Sequence, residues 1–257
     1  MTSLPTIAVT GASRGIGADI ARHLAAQATA GDAGVRLVLT ARTTEALEEL
    51  SREILDASCP CVEVKTVALD LADTGAMDDA AQALWDAFGH LDGLVNNAGI
   101  SITGPAVEMS AADWQAVIDM NLTSPSLLAA AVGRRMAECG GGRIVNVSSV
   151  AGSRALAEHF AYCTSKAGLI MAGKVLATEL GGAGVRVNSV SPTVVLTEMG
   201  TRVWGEEAKA APMLARIANG HFAQPDDVAS AVAFLLGEGA EMINGHDLVV
   251  DGGFSAI

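Results

Sequence analysis

The feature that most limits what this chain can become is an alternation. Seven short runs rich in apolar and β-branched residues (6–10, 36–40, 62–68, 93–96, 143–147, 185–190 and 247–250) are separated by longer stretches of helical period. The helical stretches include 16–28, 44–57, 77–88, 111–137, 162–180 and 225–236. Strands that are nearly continuously apolar are buried on both faces, as in parallel sheets, whereas a half-solvated antiparallel strand alternates. Interleaved with helices, they predict an α/β fold with a parallel sheet covered on both sides. Ser110 and Asp113 have the spacing of a helix-capping pair, and Gly181-Gly182 marks a helix end. No repeat, low-complexity tract or Pro/Ser-rich linker interrupts the pattern, so one domain is expected over 1–257. At 257 residues, half of them apolar, the chain can bury a core of that size.

The net charge of −13 makes a phosphate backbone a poor ligand for most of this surface, so no nucleic-acid partner is expected. No uninterrupted apolar run approaches the ~20 residues of a membrane span. The opening MTSLPTIAVTGAS lacks a basic region before its apolar run and passes straight into a glycine loop, so it reads as a first strand. Cys59, Cys61, Cys139 and Cys163 have no zinc-ligand spacing. They are expected to be reduced structural thiols in a cytoplasmic protein with no metal site.

Two intervals are longer than the alternation requires. The segment 29–34 (TAGDAG) reads as an extended surface turn. The segment 197–223 follows the sixth strand, where long excursions in open α/β sheets commonly cover a substrate; it is the expected lid.

After the first strand, Gly11, Ser13, Arg14, Gly15, Ile16 and Gly17 make a loop that opens the first helix. Glycines permit a tight turn and close approach of backbone amides to a pyrophosphate, and the helix N-terminus adds its positive end. The spacing is Gly-x-x-x-Gly-x-Gly, not Gly-x-Gly-x-x-Gly, so by itself it is also compatible with an ordinary strand-to-helix turn. Further along, Tyr162 and Lys166 lie four residues apart on one helical face. A phenol titrates near ~10 and is a poor base unless a neighbouring cation favours the phenolate. An isolated Tyr–Lys pair also occurs as a surface contact. This tyrosine, however, is the chain's only one, and it follows a strand that ends in Ser148-Ser149.

TGASRGIG at 10–17, NNAG at 96–99, the serine pair at 148–149 and YCTSK at 162–166 occur in the order and spacing of the short-chain dehydrogenases/reductases, which the chain resembles over nearly its whole length. The resemblance implies a doubly wound, Rossmann-type, seven-stranded and mostly parallel sheet, and a homotetramer, or failing that a dimer. It implies an oxidoreductase moving a hydride between a nicotinamide cofactor and a small carbonyl or alcohol. It selects Ser149, thirteen residues before Tyr162, as the hydrogen-bond donor to the substrate oxygen. It makes Tyr162 the proton donor, and Lys166 the cation that lowers the tyrosine pKa and holds the ribose hydroxyls. Asn121 matches the residue that bends a helix and holds a relay water. Asp70 and Leu71 match positions beside the adenine. Asn97, Ala98 and Gly99 lie where the backbone runs along the cofactor, and Pro192, Val195 and Thr197 belong to the loop holding the carboxamide.

Most members have glycine after that proline; this chain has Thr193. With PTVVLTEMG, Trp204 and His159, that threonine resembles the dicarbonyl/L-xylulose reductase subgroup. There His159 and Trp204 would line the substrate pocket. Each has a plainer alternative, a histidine at a helix start and a tryptophan packing the lid. Val150 stands where the subgroup carries an amide, which points to ketones or diketones with less hydroxylation than a sugar. Within the same family a β-ketoacyl-carrier reductase is the alternative, with Arg202, Lys209 and Arg216 as lid cations. A catalytically silent dinucleotide-binding sensor is the alternative of another class.

The second strand ends Leu39-Thr40-Ala41-Arg42. An NAD-preferring domain carries Asp or Glu at the position of Ala41, to accept hydrogen bonds from the ribose 2′-hydroxyl. With the acid absent and Arg14 and Arg42 both near the loop, the expected cofactor is NADP(H), whose 2′-phosphate suits arginine forks.

Overall fold

The computed structural model describes residues 4–31, 34–197, 200–201 and 205–256. Seven strands form one sheet in the order β3-β2-β1-β4-β5-β6-β7. They are β1 (Thr6–Thr10), β2 (Val35–Ala41), β3 (Val62–Ala68), β4 (Gly93–Asn96), β5 (Gly142–Val147), β6 (Val185–Pro192) and β7 (Asp247–Val250). Every pairing is parallel, so the sheet is wholly rather than mostly parallel. The order reverses between β1 and β4, and the crevice beyond their carboxyl ends is where open α/β sheets bind ligands.

Successive side chains on a strand point to opposite faces, and the sequence fills both. Val9, Leu37 and Leu39 face one side, beneath α1 (Gly15–Gly31) and α2 (Glu45–Ala57). Ala8, Val38, Leu94 and Ile144 face the other, beneath α3 (Met77–Phe88). A fully buried leucine such as Leu39 or Leu94 contributes about 2 kcal/mol of burial.

The stretch expected as one helix over 111–137 is three pieces: α4 (Ala111–Ile118), a π-helical turn Asp119–Thr123, and α5 (Ser124–Glu138). Ser110 caps α4 by accepting from the Asp113 backbone N–H at 3.0 Å. By length and hydropathy Ala111–Glu138 alone among the described helices passes for a membrane span, yet half of its most apolar 18-residue window is buried within the fold. The next helix, α6 (Phe160–Leu180), starts two residues before expectation. The turn after it is made at Gly184, with φ +81°.

Residue 29 does not begin a turn: α1 continues to Gly31, and Thr29 returns its hydroxyl to the Ala25 carbonyl at 2.9 Å. Positions 32–33 of that insertion lie outside the described residues. Beyond β6, Val195 and Ala223 form a parallel bridge that draws the two ends of the 197–223 segment together. The segment carries α7 (Glu207–Leu214) and leads into α8 (Pro225–Leu236), which packs with α1 on the first face. Ala210, Met213, Ile217 and Phe222 of the segment form a third apolar cluster with Val150 and Phe254 of the body.

One expectation is overturned here. Cys59 and Cys61 are joined as a disulfide, because the Cys59-Pro60-Cys61 turn brings their Cα atoms to 5.2 Å; Cys139 and Cys163 are free.

Candidate functional site

The glycine loop and the end of β4 are stitched together at the switch point. Thr10 Oγ1 accepts from the backbone N–H groups of Asn97 and Ala98 at 3.0 and 3.1 Å. The Asn97 amide donates back to the Thr10 carbonyl at 2.9 Å and to the Gly11 carbonyl at 3.3 Å. Gly11 (φ +64°) approaches so closely that a Cβ there would lie 2.9 Å from the Ala98 Cα. A Cβ at Gly17 would overlap the Gly11 carbonyl oxygen and the Asn97 amide nitrogen. At Gly15 (φ +58°) the nearest side chain is that of Thr197, 3.7 Å away across the loop. The first amides of α1, which no helical carbonyl can satisfy, therefore sit on an open glycine surface facing the loop after β6. Gly17→Ala is expected to cost about 1–3 kcal/mol through overpacking and to raise the KM for the cofactor. Thermal unfolding and initial-rate kinetics check it, and an unchanged Tm and KM would contradict the packing.

Ala12 donates to the Thr40 carbonyl at 3.0 Å, laying the glycine loop beside the end of β2. Arg14 and Arg42 flank that junction, both exposed, and neither has an ion-pair or hydrogen-bond partner among the described residues. Leu69 donates to the Ala41 carbonyl at 2.9 Å, so Asp70 and Leu71 leave β3 alongside the same junction. Asp70 is exposed and caps Ala72; Leu71 is buried.

Ser149 follows β5 in extended conformation, its Oγ accepting from the Ala151 N–H at 3.1 Å and hydrogen-bonded to the Tyr162 hydroxyl. Tyr162 and Lys166 are one turn apart on α6, with the ammonium 5.7 Å from the ring centroid. Burial pushes the Tyr162 pKa above its ordinary value, and the Ser149 hydrogen bond opposes this. Lys166 is 4 % exposed, and burial lowers its pKa to about 8. Its Nζ donates to the Val147 carbonyl at 2.8 Å and has no other hydrogen-bond partner among the described residues. An ammonium has three N–H donors, so this buried group retains donors for a ligand. Gly99 packs close by: a Cβ there would stand 3.1 Å from Asn121 Oδ1 and 3.7 Å from the Lys166 Nζ. Buried donors without a protein acceptor among the described residues fit the diol of a cofactor ribose. Ser148 faces away and donates to the Lys166 carbonyl at 3.1 Å, holding α6 against β5.

Asn121 lies in the π-helical turn and is fully buried. Its Oδ1 accepts from the Ile100 N–H and its Nδ2 donates to the Ile100 carbonyl, both at 2.8 Å. The same Nδ2 donates to Ser165 Oγ at 3.2 Å, and Ser165 donates to the Tyr162 carbonyl at 2.8 Å. The loop after Gly99, the bent helix and the tyrosine turn are thus one network. Ser165 and Ile100 are absent from the sequence-derived site. Ser165, adjacent to Lys166 in YCTSK, was open to detection; the backbone of Ile100 was not.

Pro192 ends β6, and Val195 is held in the bridge to Ala223. Thr197 accepts from the Gly200 N–H at 3.1 Å. Thr193 is buried, donates its N–H to the Val250 carbonyl at 3.1 Å, and has a hydroxyl without a partner among the described residues. Val150, 2 % exposed, packs into the apolar cluster beneath the 197–223 segment. His159 stands at the start of α6 without a side-chain cap; its Nδ1 lies 2.8 Å from the Ala157 carbonyl and its ring meets Tyr162 edge-on at 6.1 Å. Trp204 and Arg202 lie outside the described residues. The Arg216 guanidinium stacks on Phe254 at 4.5 Å.

Residues 11–255 match the protein-family model described as Enoyl-(Acyl carrier protein) reductase. The chain is 46 % identical to the D-threitol dehydrogenase of Mycolicibacterium smegmatis over 249 residues, covering 96 % of this chain and 91 % of that one. It is 41 % identical to the D-erythrulose reductase of Gallus gallus over 96 % of this chain and 94 % of that one. It is 40 % identical to the L-xylulose reductase of Bos taurus over 96 % of this chain and 95 % of that one. Among solved structures, a chain from Beutenbergia cavernae described as an NAD(P) dependent gluconate 5-dehydrogenase with bound NADP superposes with TM-score 0.90 at 34 % identity. That superposition covers 98 % of this chain and 97 % of the other.

Proposed function

The chain belongs to the short-chain dehydrogenase/reductase family, and from that premise we propose that it is an NADP(H)-dependent oxidoreductase interconverting a short polyol and its ketose. The observation that carries the reading is the buried Lys166 ammonium with unused donors, one turn from a tyrosine hydroxyl bonded to Ser149.

A nicotinamide cofactor, when bound, supplies the ring that gives or takes the hydride. The protein's own groups do the rest. The first amides of α1 and the glycine surface of 11–17 hold the pyrophosphate. Lys166 holds the ribose diol and keeps a positive charge beside Tyr162. Ser149 donates to the substrate oxygen, a contact that strengthens as negative charge grows there. Tyr162 gives its hydroxyl proton to that oxygen in reduction and removes it in oxidation. Asn121 holds the loop after Gly99 and the Tyr162 turn in place through Ile100 and Ser165, and is the residue placed to hold a relay water. The 197–223 segment, closed at its neck by Val195 and Ala223, acts as the substrate lid, with His159 and Trp204 as pocket residues.

D-Threitol and D-erythrulose are one alcohol–ketone pair, and the two relatives named for them share over two fifths of their residues with this chain. We place the substrate in that four-carbon polyol/ketose class. This departs from the diketone preference argued from Val150. At 2 % exposure that side chain supports the lid from below and offers a substrate little surface. The test is NADPH oxidation over D-erythrulose, L-xylulose, diacetyl and an acetoacetyl thioester, with D-threitol and NADP+ in reverse. The ketoses are expected to give the highest kcat/KM. A best rate with the thioester would favour the acyl-carrier reading, and no turnover with any would leave a dinucleotide sensor.

Two separate apolar faces lie exposed. One has Leu127 on α5 with Met171 and Val175 on α6; the other has Phe234 on α8 with Val249 on β7. Two self-complementary faces on one chain generate a closed tetramer with two kinds of two-fold contact. Light scattering is expected to give a homotetramer, and Phe234→Asp to give dimers. A monomer at micromolar concentration would refute the assembly.

A further inference from the structure

We propose that Cys59 and Cys61 form a thiol–disulfide exchange site, closed by a low-molecular-weight disulfide of the glutathione type and reopened by the corresponding thiol. The pair lies in the turn between α2 and β3, at the end of the sheet away from the glycine loop, and the dehydrogenase chemistry does not use it. Both cysteines are partly exposed at the edge of the core, with exposed Pro60 between them.

Three observations favour exchange over a permanent staple. First, only one residue separates the two cysteines. A disulfide stabilises largely by closing a long loop in the unfolded chain, and here almost no loop is closed. Second, the turn holds itself without the bond. Val62 donates to the Cys59 carbonyl at 3.0 Å, Val35 to the Cys61 carbonyl at 3.1 Å, and Cys59 to Thr29 Oγ1 at 3.3 Å. The sulfurs therefore stay neighbours when reduced, and closing is intramolecular. Third, the Cys61 N–H donates to Cys59 Sγ at 3.3 Å. A backbone donor is thus aimed at the attacking sulfur.

The exchange balances as follows. The Cys59 thiolate, its proton released to solvent, attacks one sulfur of glutathione disulfide. An S–S bond forms between protein and glutathione, and one glutathione thiolate leaves. Cys61, deprotonated, then attacks Cys59 Sγ. The protein disulfide forms and the second glutathione leaves as thiolate, so two protein thiols are oxidised and one glutathione disulfide is reduced to two thiols. Reduction runs the same steps backwards.

The test incubates the native, full-length protein in glutathione buffers graded from fully reduced to fully oxidised. The samples are quenched with an alkylating agent, and the peptide carrying both cysteines is read by mass spectrometry. The expected result is a passage from doubly alkylated to disulfide within that range, with Cys59→Ser and Cys61→Ser each trapping one glutathione on the remaining cysteine. A pair that stays doubly alkylated at every ratio overturns the proposal. So does one that stays bonded in excess dithiothreitol without denaturant. The readout is a mass, so the result stands apart from that of the carbonyl-reductase assay.

Discussion

Tyr162→Phe is expected to lower kcat by about 10²- to 10⁴-fold in both directions, the usual range for losing a general acid or base, while the affinity for NADPH stays essentially unchanged. The ring, half-buried at the start of α6, keeps its packing and its edge contact with His159; only the hydroxyl that meets Ser149 is removed. Stopped-flow transients and fluorescence titration of NADPH separate the two quantities, since a proton-transfer defect lowers kcat with little change in cofactor binding. The unaltered enzyme should also show opposite pH limbs. Reduction needs the Tyr162 proton and falls as pH rises through the phenol's pKa; oxidation needs the phenolate and rises through it. In the free protein burial raises that pKa and lowers that of Lys166 to about 8, so the lysine charge that favours the phenolate is present below that pH and fades above it. Lys166→Met should therefore lower the oxidation rate most on the acid side of that range and weaken cofactor binding as well. Activity within tenfold of the unaltered enzyme in Tyr162→Phe would remove the tyrosine from the chemistry.

The fold was legible where sequence pattern and burial agree. The ends of β3, β4, β7, α3 and α8 fall at the expected residues, because apolar runs there stop at turn residues such as Gly89, which caps α3 in left-handed conformation. β6 runs two residues past its apolar run, because Ser191 and Pro192 find register with Val249 and Val250 across the sheet. The π-helical turn was not legible in the helical period; only the resemblance, which makes Asn121 a helix-bending residue, pointed to that place. Its cause is the Asn121 amide bonded to Ile100, 21 residues away, and a helical period carries no mark of a distant backbone partner. The cysteine pair was misjudged for a related reason. Spacing that excludes a zinc site does not exclude a direct bond across one proline. The serine–tyrosine–lysine arrangement was readable only because ordered motifs accompanied it; spacing alone left the pair indistinguishable from a surface contact.

The expected cofactor preference rests on charges that find no partner among the described residues. The unaltered enzyme is expected to favour NADPH over NADH by at least about tenfold in kcat/KM at low ionic strength. A charge-assisted hydrogen bond is worth about 1.5–3 kcal/mol, or roughly tenfold to a hundredfold, and exposure of both arginines places the outcome toward the lower end. Arg14 leaves the glycine loop and Arg42 follows β2; the Ala12–Thr40 hydrogen bond sets those segments side by side. Neither guanidinium has an ion-pair or hydrogen-bond partner among the described residues, although the chain carries 29 acidic residues against 16 basic ones. Two cations beside one crevice, neither with a partner among the described residues, suit a dianionic phosphate, and Ala41 puts no carboxylate in its way. The preference should shrink as salt rises, because screening acts most on exposed pairs. Ala41→Asp/Arg42→Leu reverses both features, adding an acceptor for a ribose 2′-hydroxyl and removing one fork. The double variant should lose or invert the preference while retaining its kcat with the better cofactor. Measuring NADPH and NADH affinities by fluorescence at two salt concentrations checks the same point without turnover. Equal use of both cofactors by the unaltered enzyme, insensitive to salt, would show that Arg14 and Arg42 address solvent.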